Sequence, residues 1–410
     1  MKKKAFGFLK NYVFSAAGLI LMTGITSLVV YPFIERELGI EAQGGVLFYM
    51  ALAGLFASVF GTGANYARMK HYAEEGTSVN GDYNLYLLIS ILPTVLFTVA
   101  AVLLKQDTAG VSTVWLIVIA LLMIARHYLD VEYRLKMNFA RFFFYYTFIG
   151  IGYLIGVVLF KFLIPSWVVI FIAGELAGIL FVIASGTVAR PPFFKRSEHF
   201  SKHLKSTAGI SASFFLSDFV GSADRFLFPI LLTNGDTLTS LYYYASLVGK
   251  AMSLLSSPLN GVLSGTLANE KGKLAKKRFV QIILLMLAVW VVVTLLAMGG
   301  SHLFVWLFYP AHYEAARPYF LLANAGQVLY FICNTMMVIV LRYMKVRVQI
   351  LTSVIYSIFF LVVTIPMILY LGIVGMAVGI LLANALKFAF YCVFGLRSVA
   401  KEAENEAQNS

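Results

Sequence analysis

Two long hydrophobic runs carry charges that hydrocarbon surroundings tolerate only for a reason. The first, Gly209 to Leu232, holds Asp218, Asp224 and Arg225; the second, Leu241 to Leu267, holds Lys250. The short polar turn Thr233–Thr239 joins them. Glu175 and Lys387 stand in equally apolar neighbourhoods. A charge at bilayer depth costs about 2.5–3.5 kcal/mol on insertion scales. Such residues persist where they face a bundle interior, a wet cavity or a partner. The chemistry open to them is non-covalent. Ammonium and guanidinium groups can hold phosphate or acidic sugars, and carboxylates can balance those cations or couple a proton.

Spacing sharpens the point. At about 100° per residue, Ser211, Asp218, Ser222 and Arg225 fall on one helix face, with Asp224 off that stripe. Two readings follow: a structural ion pair within a bundle, or a charged translocation cavity. Helix rise places Glu175 and Asp218 near the middle of their runs, Lys250 slightly outward and Lys387 slightly inward of centre. Asp224 and Arg225 lie about 6–8 Å outward, where an arginine can snorkel to the headgroups. Lys250 and Lys387 are too deep for that, which favours a cavity for both.

The elements that position these residues are membrane helices. The chain has 410 residues, of which 60% are hydrophobic and only 12% charged, and its mean hydropathy is +0.84. A soluble domain is nearer half apolar and a quarter charged. The net charge of +13 does not imply nucleic acid, because basic residues gather in the cytoplasmic loops of membrane proteins. Cys333 and Cys392 lie in hydrophobic segments and suggest no disulfide framework. The basic N-terminus, MKKKAFGFLK, precedes a run of bilayer length without a small-residue cleavage site, so it reads as an uncleaved first helix.

Twelve spans are expected, at 11–34, 43–63, 83–104, 112–129, 142–163, 166–188, 208–232, 240–267, 279–299, 316–341, 348–370 and 372–395. Pro165 suits the first turn of the sixth span. Pro93, Pro229, Pro258 and Pro366 fall inside spans and should kink them. With a cytoplasmic N-terminus, 25 of the 32 Lys and Arg residues fall in inside segments, including Arg68 and Arg126. Four fall outside, Lys105 among them, and three lie within spans. That asymmetry fixes both termini on the cytoplasmic side.

The basic linker from Ala189 to Ser206 divides the chain into an N-terminal lobe, 1–190, and a C-terminal lobe, 207–396, with 191–206 between them and a tail at 397–410. A weak repeat links the lobes: at an offset of 195, Tyr49/Tyr244, Leu52/Leu247, Gly54/Gly249 and Ser58/Ser253 are identical. An even span count per lobe makes such repeats parallel. There is no GxxxxGK[ST] loop, no HExxH and no paired CxxC. No cofactor and no metal site is expected, and the chain is not expected to be an enzyme. His71, His127, His199, His203, His302 and His312 fall in loops or at span ends and read as solvated or interfacial.

Several motifs resemble one family. ERELGIEAQG, with Arg36, Leu38, Gly39 and Gly44, looks like the R-x-LG-x4-G turn of polysaccharide transporters. GTGANYARMKHYAEE from Gly61, ADRFLFPILL from Ala223 with LYYYASLVGK, and YPAHYEAARPYFLLANAGQVLYFICNTMM from Tyr309 resemble its loop after span two and its seventh, eighth and tenth helices. GVLSGTLA from Gly261 departs from it, since the family often has a proline there. The chain thus resembles the O-antigen and oligosaccharide flippases (Wzx-like) of the multidrug/oligosaccharidyl-lipid/polysaccharide exporter superfamily, over essentially its whole length.

The resemblance implies an all-α polytopic membrane protein with twelve transmembrane helices in two six-helix lobes around a central cavity, a MATE-like fold. It implies a flippase that moves an undecaprenyl-pyrophosphate-linked oligosaccharide from the inner to the outer leaflet of the bacterial cytoplasmic membrane. Lys250, Lys387 and Arg225 would meet the pyrophosphate or acidic sugars, with Asp218, Glu175 and Asp224 for charge balance or ion coupling. Partners would be the lipid-linked oligosaccharide, membrane lipids, and polymerase and glycosyltransferase machinery, with no nucleic acid. Two rivals share the fold. A cation-coupled multidrug exporter predicts an acidic cavity, and a peptidoglycan-precursor flippase typically has fourteen spans. The third rival, a non-transporting scaffold, gives no reason for deep Lys250 and Lys387.

Overall fold

The structure is a computed structural model that describes residues 2–105, 110–186, 193–253, 276–341 and 346–407. All of its described secondary structure is helical. Helix α1 (Lys2–Ile25) passes through a π-turn, Thr26–Val30, into Tyr31–Leu38. It stops at Gly39, whose φ of 89° is open to glycine and costly for other residues. That explains the glycine of the Arg36–Gly39 turn. Helix α2 (Ile40–Phe56) continues in the same way through Ala57–Thr62 into Gly63–Glu75.

Then come α3 (Asn80–Leu104), α4 (Thr113–Leu129), α5 (Phe139–Phe162) and α6 (Val168–Ala184). Helix α7 comprises Phe200–Gly221 and Ala223–Leu231, and α8 is Gly235–Ser253. Last are α9 (Lys276–Phe308), α10 (Phe320–Leu341), α11 (Val346–Leu371) and α12 (Ile373–Ala407).

These follow the twelve expected spans in order. Among the described residues, nine helical stretches are long and apolar enough to cross a bilayer. The others are α6, which is short, α7, which is broken, and α8, described only to Ser253. Pro258 and the stretch Gly261–Ala268 lie outside the described residues. Gly372, at φ 55°, separates α11 from α12. Pro93, Pro229 and Pro366 lie inside helices.

Surface polarity is inverted relative to a soluble protein. On α3, Ser90, Thr94 and Thr98 form a buried stripe at i, i+4 spacing, while Leu88, Leu92, Leu96 and Leu103 are 52–81% exposed. The hydroxyls bond back to the carbonyls of Leu87, Ser90 and Thr94. A helix with its polar stripe inside and its leucines outside is built for hydrocarbon.

The expected α7, one helix from 209 to 232, is corrected in two respects. It begins earlier, at Phe200, and it breaks at Ser222, where φ −113° and ψ 11° leave the helical region.

The described chain forms two compact units, Met1–Thr237 and Leu238–Ser410. Helix α7, placed by the sequence at the head of the second lobe, packs in the first of these units. Ser211 donates to the Val59 carbonyl at 2.7 Å and pairs with the Tyr86 hydroxyl at 3.2 Å.

In the first unit, α5 and α6 approach closely. A Cβ at Gly152 would stand 2.6 Å from the Gly174 Cα, and one at Gly174 would overlap the Tyr153 ring. Small residues four apart on both helices (Gly152 and Gly156, Gly174 and Gly178) allow this contact.

At the other end of the unit, a polar knot holds the linker to the start of α3. Asp82 accepts from the Ser197 backbone at 2.8 Å and from its hydroxyl, and pairs with His203 Nδ1 at 2.7 Å. His203 Nε2 reaches Glu75 at 3.1 Å, and His71 Nδ1 meets the Tyr83 hydroxyl at 2.7 Å. His71 and His203 are thus buried rather than solvated; His199 alone of this group is exposed.

In the second unit, the Asn324 amide of α10 enters the hydrogen-bond ladder of α8. Its Oδ1 accepts from Gly249 N–H at 2.7 Å and its Nδ2 donates to the Ala245 carbonyl at 2.9 Å. Those two groups are the i, i+4 pair that an undisturbed helix joins to each other. Gly249 is needed here because a Cβ would sit 2.7 Å from Asn324 Oδ1.

Two predictions follow. Asp82→Asn weakens the docking of the linker, so trypsin should cut after the exposed Lys195 and Arg196 several-fold faster than in the parent; an unchanged rate would show that the Asp82 bonds do not hold it. Asn324→Leu leaves buried polar groups on α8 unsatisfied, at about 1–3 kcal/mol for each group that finds no new partner. The midpoint of thermal unfolding in detergent should fall accordingly.

Candidate functional site

The six charges singled out in the sequence occupy different settings. Glu175 is 1% exposed on α6. The close α5–α6 contact brings its neighbour across: Tyr153 donates to Glu175 Oε1 at 2.9 Å. Arg126, on the last turn of α4, donates to the same oxygen at 2.8 Å and to the Tyr153 hydroxyl at 3.0 Å. Arg126 is 5% exposed and anchors a wider network. Its carbonyl accepts from Tyr145, and Tyr146 donates to Asp130, which also binds Arg134 at 2.9 Å.

Arg126, placed by the sequence in a cytoplasmic segment, is therefore a buried partner of Glu175. The same correction applies to two other basic residues. Arg68 is 1% exposed and binds Glu132 and Asn80, each at 2.7 Å. Lys105 is 5% exposed and binds Asp236 at 3.1 Å. Each lies at a span end, where counting charges cannot distinguish a solvated residue from a buried one.

On α7, Asp218 is half-buried with the Ser58 side chain as a hydrogen-bonding neighbour. Asp224 is buried, in the first turn after the Ser222 break, where the helix dipole favours a negative charge. Arg225 is half-buried and close enough to Tyr31 to act on it electrostatically.

The two lysines of the second unit differ from these. Lys250 is half-buried on α8, with its ammonium 5.8 Å from the Tyr242 ring. Lys387, on α12, is 7% exposed. Its Nζ lies 4.8 Å from the Tyr356 ring and 5.1 Å from the Tyr330 ring, with the Asn334 amide oxygen at 3.5 Å. Three helices, α10, α11 and α12, thus surround one ammonium with two aromatic faces and a neutral acceptor. Among the described residues no carboxylate ion-pairs with Lys387.

The composition of this unit explains why. From Leu238 to Arg397 the sequence contains only two acids, Glu270, which lies outside the described residues, and Glu314, in the short helix Tyr313–Ala316 before α10. Tyr330, Tyr356 and Asn334 were not singled out in the sequence. Tyr330 and Asn334 are i, i+4 neighbours on one helix, a signal lost among 23 tyrosines. The structure brings Glu175 together with Arg126 and Lys387 together with its tyrosines, each within one unit. Asp218, Asp224 and Arg225 share α7.

Removing one partner of the Arg126–Glu175 pair leaves a buried charge. Arg126→Ala should therefore lower stability by about 3–5 kcal/mol. The double change Arg126→Leu with Glu175→Leu should recover most of it, since apolar replacement of a buried pair is often neutral or stabilising. Thermal unfolding of the purified variants reads both. A double variant as unstable as the single one would show that packing, not charge, is responsible.

No protein family model matches the sequence, and no curated protein matches it. Solved structures do. A multidrug resistance MATE family transporter of the MOP superfamily, in an inward-facing conformation, is similar with a TM-score of 0.72 at 13% identity, over 95% of this chain and 99% of that one. The lipid II flippase MurJ, in an inward closed conformation, is similar with a TM-score of 0.66 at 15% identity, over 93% and 86%. A MOP superfamily transporter from Pyrococcus furiosus, described by a binding pocket of reverse polarity, gives 0.64 at 13% identity, over 96% and 95%. At such identities the likeness concerns the fold. The chain is an all-α polytopic membrane protein with the MATE-like fold that MOP superfamily transporters share.

Proposed function

We propose that the chain is a flippase for an anionic lipid-linked oligosaccharide, of the undecaprenyl-pyrophosphate kind, moved from the inner to the outer leaflet of the bacterial cytoplasmic membrane for surface polysaccharide synthesis. The two six-helix lobes, the cytoplasmic termini and the handover to polymerase and glycosyltransferase machinery belong to this reading. The observation that carries it is Lys387. A buried ammonium loses several kcal/mol of hydration. Two tyrosine faces return roughly 0.5–2 kcal/mol each, and an amide oxygen at 3.5 Å returns little. The remainder is stabilisation that an anionic ligand supplies while it is bound. Lys250, on the same acid-poor second unit, supplies further positive charge for a pyrophosphate.

The rival cation-coupled exporter needs free acids. Glu175 is already paired with Arg126 at 2.8 Å, so it is not one of them. Asp218, half-buried on α7, remains the group for ion coupling.

Lys387→Met tests the reading, because stability and function should move in opposite directions. Replacing an uncompensated buried charge with an apolar side chain of similar length leaves stability unchanged or raises it by about 1–4 kcal/mol. Surface polysaccharide in a strain lacking its own transporter should fall at least tenfold at equal membrane expression. Lys387→Arg, which keeps the charge but changes its shape, should retain part of the activity. Full polysaccharide rescue by a well-expressed Lys387→Met would sink the anion-binding role.

A further inference from the structure

The first unit contains a groove with a different chemistry. It encloses about 310 Å³ between α2, α3 and α7, and all fourteen side chains that line it are apolar, seven of them phenylalanines. Its walls are stacked rings. Phe215, Phe219 and Phe226 form a ladder along α7, with centroids 5.8 and 5.6 Å apart and planes 20° and 8° from parallel. Phe56 stacks on Phe60 across the floor at 6.3 Å and leans on Phe97 of α3 at 6.5 Å. One end is closed by Phe48, which packs edge-on against Phe226 at 5.9 Å and has the Lys105 ammonium 5.2 Å from its ring.

The side of the groove is open. Phe97 is 61% exposed, Leu104 80%, Phe215 46% and Ile230 55%. This mouth is continuous with the leucine face of α3, which meets membrane hydrocarbon. An occupant therefore enters from the bilayer, and a groove without a polar lining group accepts only hydrocarbon. Helix α7 gives a reason for that occupant to be part of the substrate. Its ring ladder faces the groove, while Ser211, Asp218 and Arg225 on the same helix are polar. One helix thus presents an apolar wall beside polar groups, the pattern that suits an amphiphile.

We propose that this groove holds the polyprenyl chain of the transported lipid, a proposal that rests on the lipid-linked-substrate reading above. Flat ring walls make extended contact with planar, methyl-branched isoprene units, and each buried carbon adds to retention.

The test uses the full chain in nanodiscs of phosphatidylethanolamine and phosphatidylglycerol, with a diazirine-bearing polyprenyl phosphate as the probe. Mass spectrometry should place the label on peptides containing Phe97 to Leu104 or Phe215 to Ile230. Unlabelled polyprenyl phosphate should compete it away, and an equal excess of phosphatidylglycerol should not. Ala101→Trp fills the groove, and labelling should fall about tenfold, as displacing a few buried carbons predicts. Phe219→Leu keeps the groove apolar but breaks the ring ladder, and should cut labelling several-fold while folding normally.

Label elsewhere on the chain, or equal competition by phosphatidylglycerol, would overturn the proposal in favour of bulk lipid. So would full polysaccharide rescue by well-folded Ala101→Trp. The two readings fail separately. Labelling of the groove by a chain that never rescues polysaccharide synthesis supports the groove and removes the sugar head. Rescue without labelling removes the groove alone.

Discussion

The cost of holding a charge away from water organises this protein. In the first unit the cost is met locally. Arg126 and Glu175, Arg68 and Glu132, and Lys105 and Asp236 are each joined at 2.7–3.1 Å between buried or nearly buried side chains. Tyrosine hydroxyls fill further valences around the first pair. Breaking one member of such a pair is far more damaging than replacing both, so these pairs tie α2 to the segment after α4, α4 to α6, and the end of α3 to Asp236. The second unit has almost no acid to spend, and its Lys387 is held by ring faces and an amide. The same physical constraint gives a scaffold in one unit and an unmet electrostatic demand in the other.

Geometry decides which charges can pair at all. Tyr153 and Glu175 meet because Gly152 and Gly174, their immediate neighbours, let α5 and α6 approach at backbone distance. A methyl group at either glycine would push the hydroxyl and the carboxylate apart and leave Arg126 with half its partners. In the second unit Gly249 has the matching role. It lets the Asn324 amide reach the backbone of α8 one residue before Lys250, so the direction of that lysine depends on a hydrogen bond from α10.

Much of the architecture was legible in the sequence. Bilayer-length apolar runs gave twelve helices in order, and Gly39 and Gly372 marked helix ends that their positive φ values explain. Glu175 and Lys387, singled out as charges in apolar runs, are both buried. The partners were not legible. Arg126, Arg68 and Lys105 stand at span ends, where sequence position is compatible with either a solvated loop or a buried pair. The histidines failed for the same reason: His71 and His203 flank helices, yet they are buried against Tyr83, Asp82 and Glu75. Long-range pairing is three-dimensional information that no local pattern carries. The break at Ser222 was also hidden, because neither Gly221 nor Ser222 alone forbids a helix.

That break leaves the aromatic wall of α7 continuous. A straight helix fixes the angle between any two residues by their spacing alone. The break at Ser222 keeps that relation: Phe219 and Phe226, seven residues apart and so on one helix face, stack within 8° of parallel across it. Asp224, on the far side of the break, is buried, while Asp218, before it, is half-buried. The helix therefore carries one aromatic wall through its break. The same helix thus holds the apolar wall of the groove and, one position off that row, the half-buried Asp218.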